Sequence, residues 1–217
     1  MNLFTYFLDW IFPPRCTFCH AMVENGTITV CDACREKLPM TRSGGVQKKD
    51  YVKLCAAPFY YEDDVRESLL RFKFKGMRGY AKVYAPYVAD SIREAIPDEW
   101  DVISWVPVSR KRLRERGYDQ AELLCRAVAK ELGQKPTGLL IKQRHTKAQS
   151  STGSAEKRRA NISGAYRVRD KVDVADKRIL LLDDIITTGA TMSECAKTLG
   201  FAGAACVYCA TVARQRD

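Results

Sequence analysis

Asp183 and Asp184 stand directly before Ile185-Ile186 and the small-residue run Thr187-Thr188-Gly189-Ala190-Thr191. A turn of this composition can aim backbone N–H groups, hydroxyls and a helix N-terminus at one point, which is the chemistry of a phosphate monoester site. Two acids beside such a cradle would repel a bare phosphate unless they meet hydroxyls or a cation. A ribose 5-phosphate satisfies both demands, with its phosphate in the turn and its 2′ and 3′ hydroxyls donating to the acids. The four aliphatic residues before the acids, Ile179-Leu180-Leu181-Leu182, predict a strand over 179–184 buried on both faces, with a helix opening near Thr191.

A strand ending in two acids also suits the magnesium-binding strand of P-loop ATPases. The chain contains no Gly-x-x-x-x-Gly-Lys-[Ser/Thr], nor a Gly-x-Gly-x-x-Gly fingerprint. Simple helix capping would need one such residue and leaves the rest of the set unexplained. The string resembles the phosphoribosyl pyrophosphate (PRPP) motif of type I phosphoribosyltransferases: four apolar residues, two acids, two variable residues, then Thr-Gly.

A second constellation lies near the N-terminus. Cys16-x2-Cys19 and Cys31-x2-Cys34 have the spacing of a four-thiolate zinc site, each pair reaching the metal from one tight turn. Between them, Asn25-Gly26 predicts a hairpin turn before Thr27-Ile28-Thr29-Val30. His20 could replace a thiolate, although four already complete the shell. A disulfide framework is the alternative, and the segment lacks the basic start of a secretion signal. Cys206 and Cys209 fall on a predicted strand at 204–212, where residues three apart face opposite sides, so both read as core, as do Cys55, Cys125 and Cys195.

The elements around these residues alternate. Strands are predicted at 55–61 and 102–106, and helices from about Val65, over 81–96 and over 119–132. This is the pattern of an α/β fold with a doubly wound, mainly parallel sheet and a ligand at the carboxyl ends of its strands. Thr41 to Asp50 has linker composition. The expected organisation is therefore 1–42 as an amphipathic helix and zinc module, 43–50 as linker, and 51–217 as the main domain. Residues 3–12 are greasy but short; they read as a helix docking on the body of the protein or lying on a membrane surface, stopped by Pro13-Pro14.

The formal charge of +10 is unevenly distributed: Arg110 to Arg178 carries 19 Lys and Arg against 8 Asp and Glu, leaving 17 against 18 elsewhere. Such a segment serves either a solvated, phosphate-binding surface or a track for a polyanion such as single-stranded DNA. Within it, Val106 to Gln120 reads as a basic loop at a strand's carboxyl end, with Arg116 before Gly117 the best placed cation. Residues 144–161 read as a mobile loop that closes over substrate, containing His145 as a conceivable proton shuttle. Phe72-Lys73-Phe74-Lys75-Gly76 reads as a strand edge or a loop facing a nucleotide.

Together the cysteine module, Pro107 with Arg114-x-Arg116-Gly117-Tyr118-x-Gln120, Thr146-x2-Gln149, Arg158-Arg159-x-Asn161-Ile162-x-Gly164-Ala165-Tyr166 and the PRPP string resemble the ComF family of competence proteins over nearly the whole chain. The family has Asn at the place of Asp119 and Pro at that of Ala148. The resemblance implies a type I phosphoribosyltransferase domain behind a zinc-binding segment, in a cytoplasmic protein that assists single-stranded DNA handling during natural transformation, alongside other DNA-uptake proteins. It further implies that Asp183 and Asp184 hold the ribose, that Thr187, Thr188, Gly189, Ala190 and Thr191 hold the 5′-phosphate, and that Arg116 neutralises the leaving pyrophosphate with Mg²⁺. A nucleotide-salvage transferase and a PRPP-sensing regulator without catalysis are the alternatives. The acceptor nucleophile and the oligomeric state are not encoded in any recognisable motif.

Overall fold

The computed structural model describes residues 13–23, 29–97, 100–143 and 162–216. The N-terminal segment 3–12, the turn expected at Asn25-Gly26 and the polar run 144–161 with His145 lie outside the described residues.

A central sheet is assembled from β1 (Gln47–Lys49), β2 (Val52–Ala56), β8 (Cys206–Arg214), β7 (Arg178–Ile186) and β4 (Val102–Trp105), in that order, with the short β3 (Phe59–Tyr60) also on β8. All neighbours run parallel except β1 on β2. The helices α1 (Asp32–Lys37), α2 (Asp63–Phe74), α3 (Tyr80–Ala95), α4 (Arg110–Arg116), α5 (Gln120–Glu131) and α6 (Ala190–Phe201) connect them. A separate antiparallel pair, β5 (Leu140–Lys142) with β6 (Tyr166–Val168), flanks α6.

Strand β7 explains the two-layer core. Its side chains alternate, so Leu180 and Leu182 face the core formed with α2, α3 and α5, whereas Ile179 and Leu181 face the core under α6. Burial on both faces is what a strand of unbroken aliphatics requires. Cys206 and Cys209 divide between the same two cores, and Cys55, Cys125 and Cys195 are fully buried.

The stretch expected as a linker is folded. Ser43–Gly45 forms a 3-10 turn and Gln47–Lys49 pairs with β2. Gly44 has φ +64, and a Cβ there would come within 2.6 Å of Ala95 Cβ, so this glycine permits close approach to α3. Ser91 Oγ seals the contact by donating to the Gly44 carbonyl at 2.7 Å.

Two further expectations change. Residues 110–116 form a helix, capped by the Ser109 hydroxyl, which accepts from Arg112 N–H, and ended by Gly117 in the left-handed region at φ 74. Phe72-Lys73-Phe74 is the last turn of α2, not a strand edge or loop. Its apolar members at 65, 69 and 72 follow helical spacing and are fully buried.

The cysteine segment is continuous with the core. Phe18 is fully buried against Phe59, Tyr84 and Tyr87, with ring centroids 5.5, 5.9 and 6.5 Å away. Such pairs each add about 0.5–1.5 kcal/mol beyond their buried area. From α2, Ser68 Oγ donates to the Thr17 carbonyl at 2.6 Å, and Arg71 donates to the carbonyls of Thr17 and Phe18.

Candidate functional site

Three groups of residues converge on α2 and the carboxyl ends of β4 and β7. The first is the turn after β7. Gly189 takes φ +79 and begins α6, whose first backbone N–H groups have no partner within the helix. Residues 187–191 line a cavity of about 420 Å³ together with Tyr61, Arg66, Met192 and Gln215. Thr188 Oγ1 accepts from Ala190 N–H at 3.5 Å, which tightens the bend. A Cβ at Gly189 would lie 2.8 Å from Lys49 Cδ, so the stem of a β1 lysine packs directly against this backbone.

The second group is the acidic pair, and strand alternation separates its members. Asp183 continues the face of Ile179 and Leu181, and its carboxylate accepts from Asp184 N–H at 2.8 Å. It keeps partial contact with solvent, yet loss of water around the carboxyl and the adjacent Asp184 charge push its pKa well above the usual range. Asp184 continues the face of Leu180 and Leu182. Its side chain is 5% exposed, its Oδ1 lies 3.1 Å from Lys73 Nζ, and its Oδ2 is buried without a partner among the described residues. An ionised oxygen buried without a donor is costly, so the site is suited to a ligand bringing a hydroxyl or a hydrated cation.

The third group comes from α4 and its C-terminal turn. Arg116 is half-buried, donates to Gln120 Oε1 at 2.8 Å and lies 4.7 Å from the Phe74 ring centroid. Burial lowers its pKa, which leaves a guanidinium charged at any working pH, and Asp184 is close enough to oppose the shift.

Sequence reasoning missed Arg66, and it set Lys73 on a strand edge or nucleotide-facing loop where the structure has a helix. They stand seven residues apart on α2, and this is the spacing that puts both on one helix face. Arg66 reaches the turn cavity while Lys73 reaches Asp184, so α2 spans the distance between the turn after β7 and the α4 arginines.

Asp119 is a helix cap with an additional bond. Oδ1 accepts from Ala121 and Glu122 N–H at 3.0 and 3.2 Å, and Oδ2 accepts from Val108 N–H at 2.9 Å, tying the segment after β4 to α5. Burial nevertheless raises its pKa to about 6. The native state therefore holds this proton more tightly than the unfolded chain, and stability falls as pH rises from about 4 through about 6. Asp119→Asn should flatten this slope, shifting the gap between variant and parent by up to about 3 kcal/mol across that window. Urea midpoints measured from pH 4 to 8 would test it, and parallel curves for the two proteins would rule it out.

The four cysteine sulfurs lie within 4.8 Å of one another, with Cys19 Sγ 3.6 Å from Cys31 Sγ. Thiolates about 2.3 Å from a tetrahedral zinc stand roughly 3.8 Å apart, so the cluster fits that ion.

The fold and these sites define a phosphoribosyltransferase-like domain joined to a zinc module. Residues 119–217 match the phosphoribosyl transferase domain model, and residues 7–64 match the double zinc ribbon domain model. Competence protein ComFC of Streptococcus pneumoniae is 32% identical over 148 residues, covering 68% of this chain and 62% of that protein. Competence protein F of Haemophilus influenzae is 25% identical over 224 residues, covering 92% of this chain and 93% of that protein. The DNA utilization protein YhgH of Escherichia coli O157:H7 is 33% identical over 107 residues, covering 49% and 46%. The aligned region thus spans less than two thirds of the pneumococcal and the Escherichia coli proteins. The chain belongs to the ComF family, and Cys16, Cys19, Cys31 and Cys34 form its structural zinc site.

Proposed function

We propose that this protein binds PRPP at the carboxyl edge of its sheet and assists the handling of single-stranded DNA during DNA uptake. The observation that carries the reading is Asp184: a buried carboxylate with one oxygen on Lys73 and the other without a donor among the described residues, beside a turn whose composition suits a phosphate. Ribose hydroxyls would satisfy Asp184 and Asp183, with the 5′-phosphate at Thr187, Thr188, Gly189, Ala190 and Thr191. Lys73 and Arg116 would face the pyrophosphate end. Asp183 and Asp184 would hold the magnesium that accompanies PRPP, and the ion would supply neutralisation of pyrophosphate charge. The competence names of the relatives and the cationic stretch from Arg110 support the DNA component. No described helix is long and apolar enough to cross a membrane, and any peripheral membrane contact would fall to the segment before Pro13.

A ligand that binds only the native state raises the melting midpoint. PRPP with Mg²⁺ at a hundred times its Kd adds about 2.7 kcal/mol, or about 5 to 10 °C for a chain of this size. No shift with PRPP, with or without Mg²⁺, would reject the pocket. Binding of a single strand should weaken with salt, with a log-log slope of about −0.7 per phosphate contacted; salt-insensitive or absent binding would reject the DNA component.

A further inference from the structure

Lys73, which pairs with Asp184, also lines a second cavity of about 510 Å³ between the end of α2 and α4. Phe74 projects into it 61% exposed, and Arg116 covers one part of its ring at 4.7 Å from the centroid. Tyr118 forms the inner wall, held by a hydrogen bond from its hydroxyl to the Phe72 carbonyl, with the Arg78 guanidinium 4.9 Å from its ring centroid. Lys73 and Arg112 complete a cationic rim, in which the lining acid Glu115 lies 3.9 Å from Lys111 Nζ.

An exposed phenylalanine alone has no special meaning, since single apolar residues are common on surfaces. Here the ring stands at the mouth of a cavity, at the end of a helix carrying Arg110, Lys111, Arg112, Arg114 and Arg116, all of them at least partly exposed. Aromatic faces next to guanidinium groups are the means by which proteins hold unstacked bases, with the cations on the flanking phosphates. A duplex could not use the cavity, because its bases are already stacked on both faces.

We propose that this cavity receives an unstacked base of a single-stranded nucleic acid, with Phe74 as the stacking platform and Arg112 on a neighbouring phosphate. The inference rests on the single-strand handling proposed above and names the place where it occurs. It sets the strand against the same α2 helix that bonds Asp184 through Lys73.

The test compares the full-length, zinc-loaded protein with Phe74→Ala and Phe74→Tyr by anisotropy, using labelled oligothymidylate and an abasic oligomer of equal length. The exposure of Phe74 makes both variants compatible with folding, and zinc content and melting midpoint verify this. Parent protein should prefer the thymidylate. Phe74→Ala should weaken thymidylate binding by roughly 5- to 150-fold, towards the abasic level and with an unchanged salt slope. Phe74→Tyr should retain most of the affinity. Equal binding of thymidylate and abasic strands by the parent, or an undiminished Phe74→Ala, would overturn the base site and leave single-strand handling standing. A parent that binds neither strand would overturn both.

Discussion

Cys31→Ser should leave far less than one zinc per chain and abolish the cooperative melting transition of the whole protein, not merely free its first forty residues. A structural zinc supplies on the order of 10 kcal/mol to the module it organises. A domain of ordinary stability has only about 5–15 kcal/mol in total. In a tethered module the loss would stay local, but the zinc segment here is built into the main core. Cys16 and Phe18 are fully buried, Cys34 is 5% exposed, and the carbonyls of Thr17 and Phe18 take their hydrogen bonds from Ser68 and Arg71 of α2. Since α2 also carries Arg66 and Lys73 to the proposed PRPP site, zinc loss should remove the PRPP response as well. Metal analysis and a thermal melt decide the matter: a variant retaining stoichiometric zinc, or one that is metal-free yet melts as the parent does, would refute it.

The strand–turn–helix at 178–201 and the thiol cluster are readable in the sequence because each is local. Aliphatic residues buried on both faces, a glycine with positive φ and two C-x2-C turns each state their geometry within a few residues. The missed features depend on contacts distant in sequence. The run Arg-Lys-Arg-Leu-Arg-Glu-Arg has no apolar stripe, so nothing in its periodicity marks a helix; Ser109 and Gly117 define α4 from its ends. Gly44 and Gly45 suggest flexibility until Ala95 and the Ala57 carbonyl are seen pressed against them. The pairing of β5 with β6 joins segments on either side of residues 144–161, beyond the reach of a hairpin rule. The acidic pair is the most instructive case, because the motif presents Asp183 and Asp184 as a unit although the period of a strand sends them to opposite faces.

That separation makes Asp184 the critical acid in the proposed PRPP pocket, and Asp184→Asn should weaken PRPP binding in the presence of Mg²⁺ by roughly 10- to 150-fold, the loss expected for one charged hydrogen bond. The amide keeps the shape of the side chain and removes its charge. Lys73, 3.1 Å away and 20% exposed, then loses its counterion, so the ligand-free variant should also melt somewhat lower than the parent. These two effects can be separated. In Asp184→Asn with Lys73→Gln, neither charge of the pair remains, and the ligand-free midpoint should recover relative to either single variant, while the midpoint shift with PRPP and Mg²⁺ stays at least as small as in Asp184→Asn. Recovery of stability without recovery of the PRPP response would separate the loss of the ion pair from the loss of ligand contacts. An undiminished response in Asp184→Asn itself would place the ribose elsewhere and remove the reason for the donorless oxygen at the end of β7.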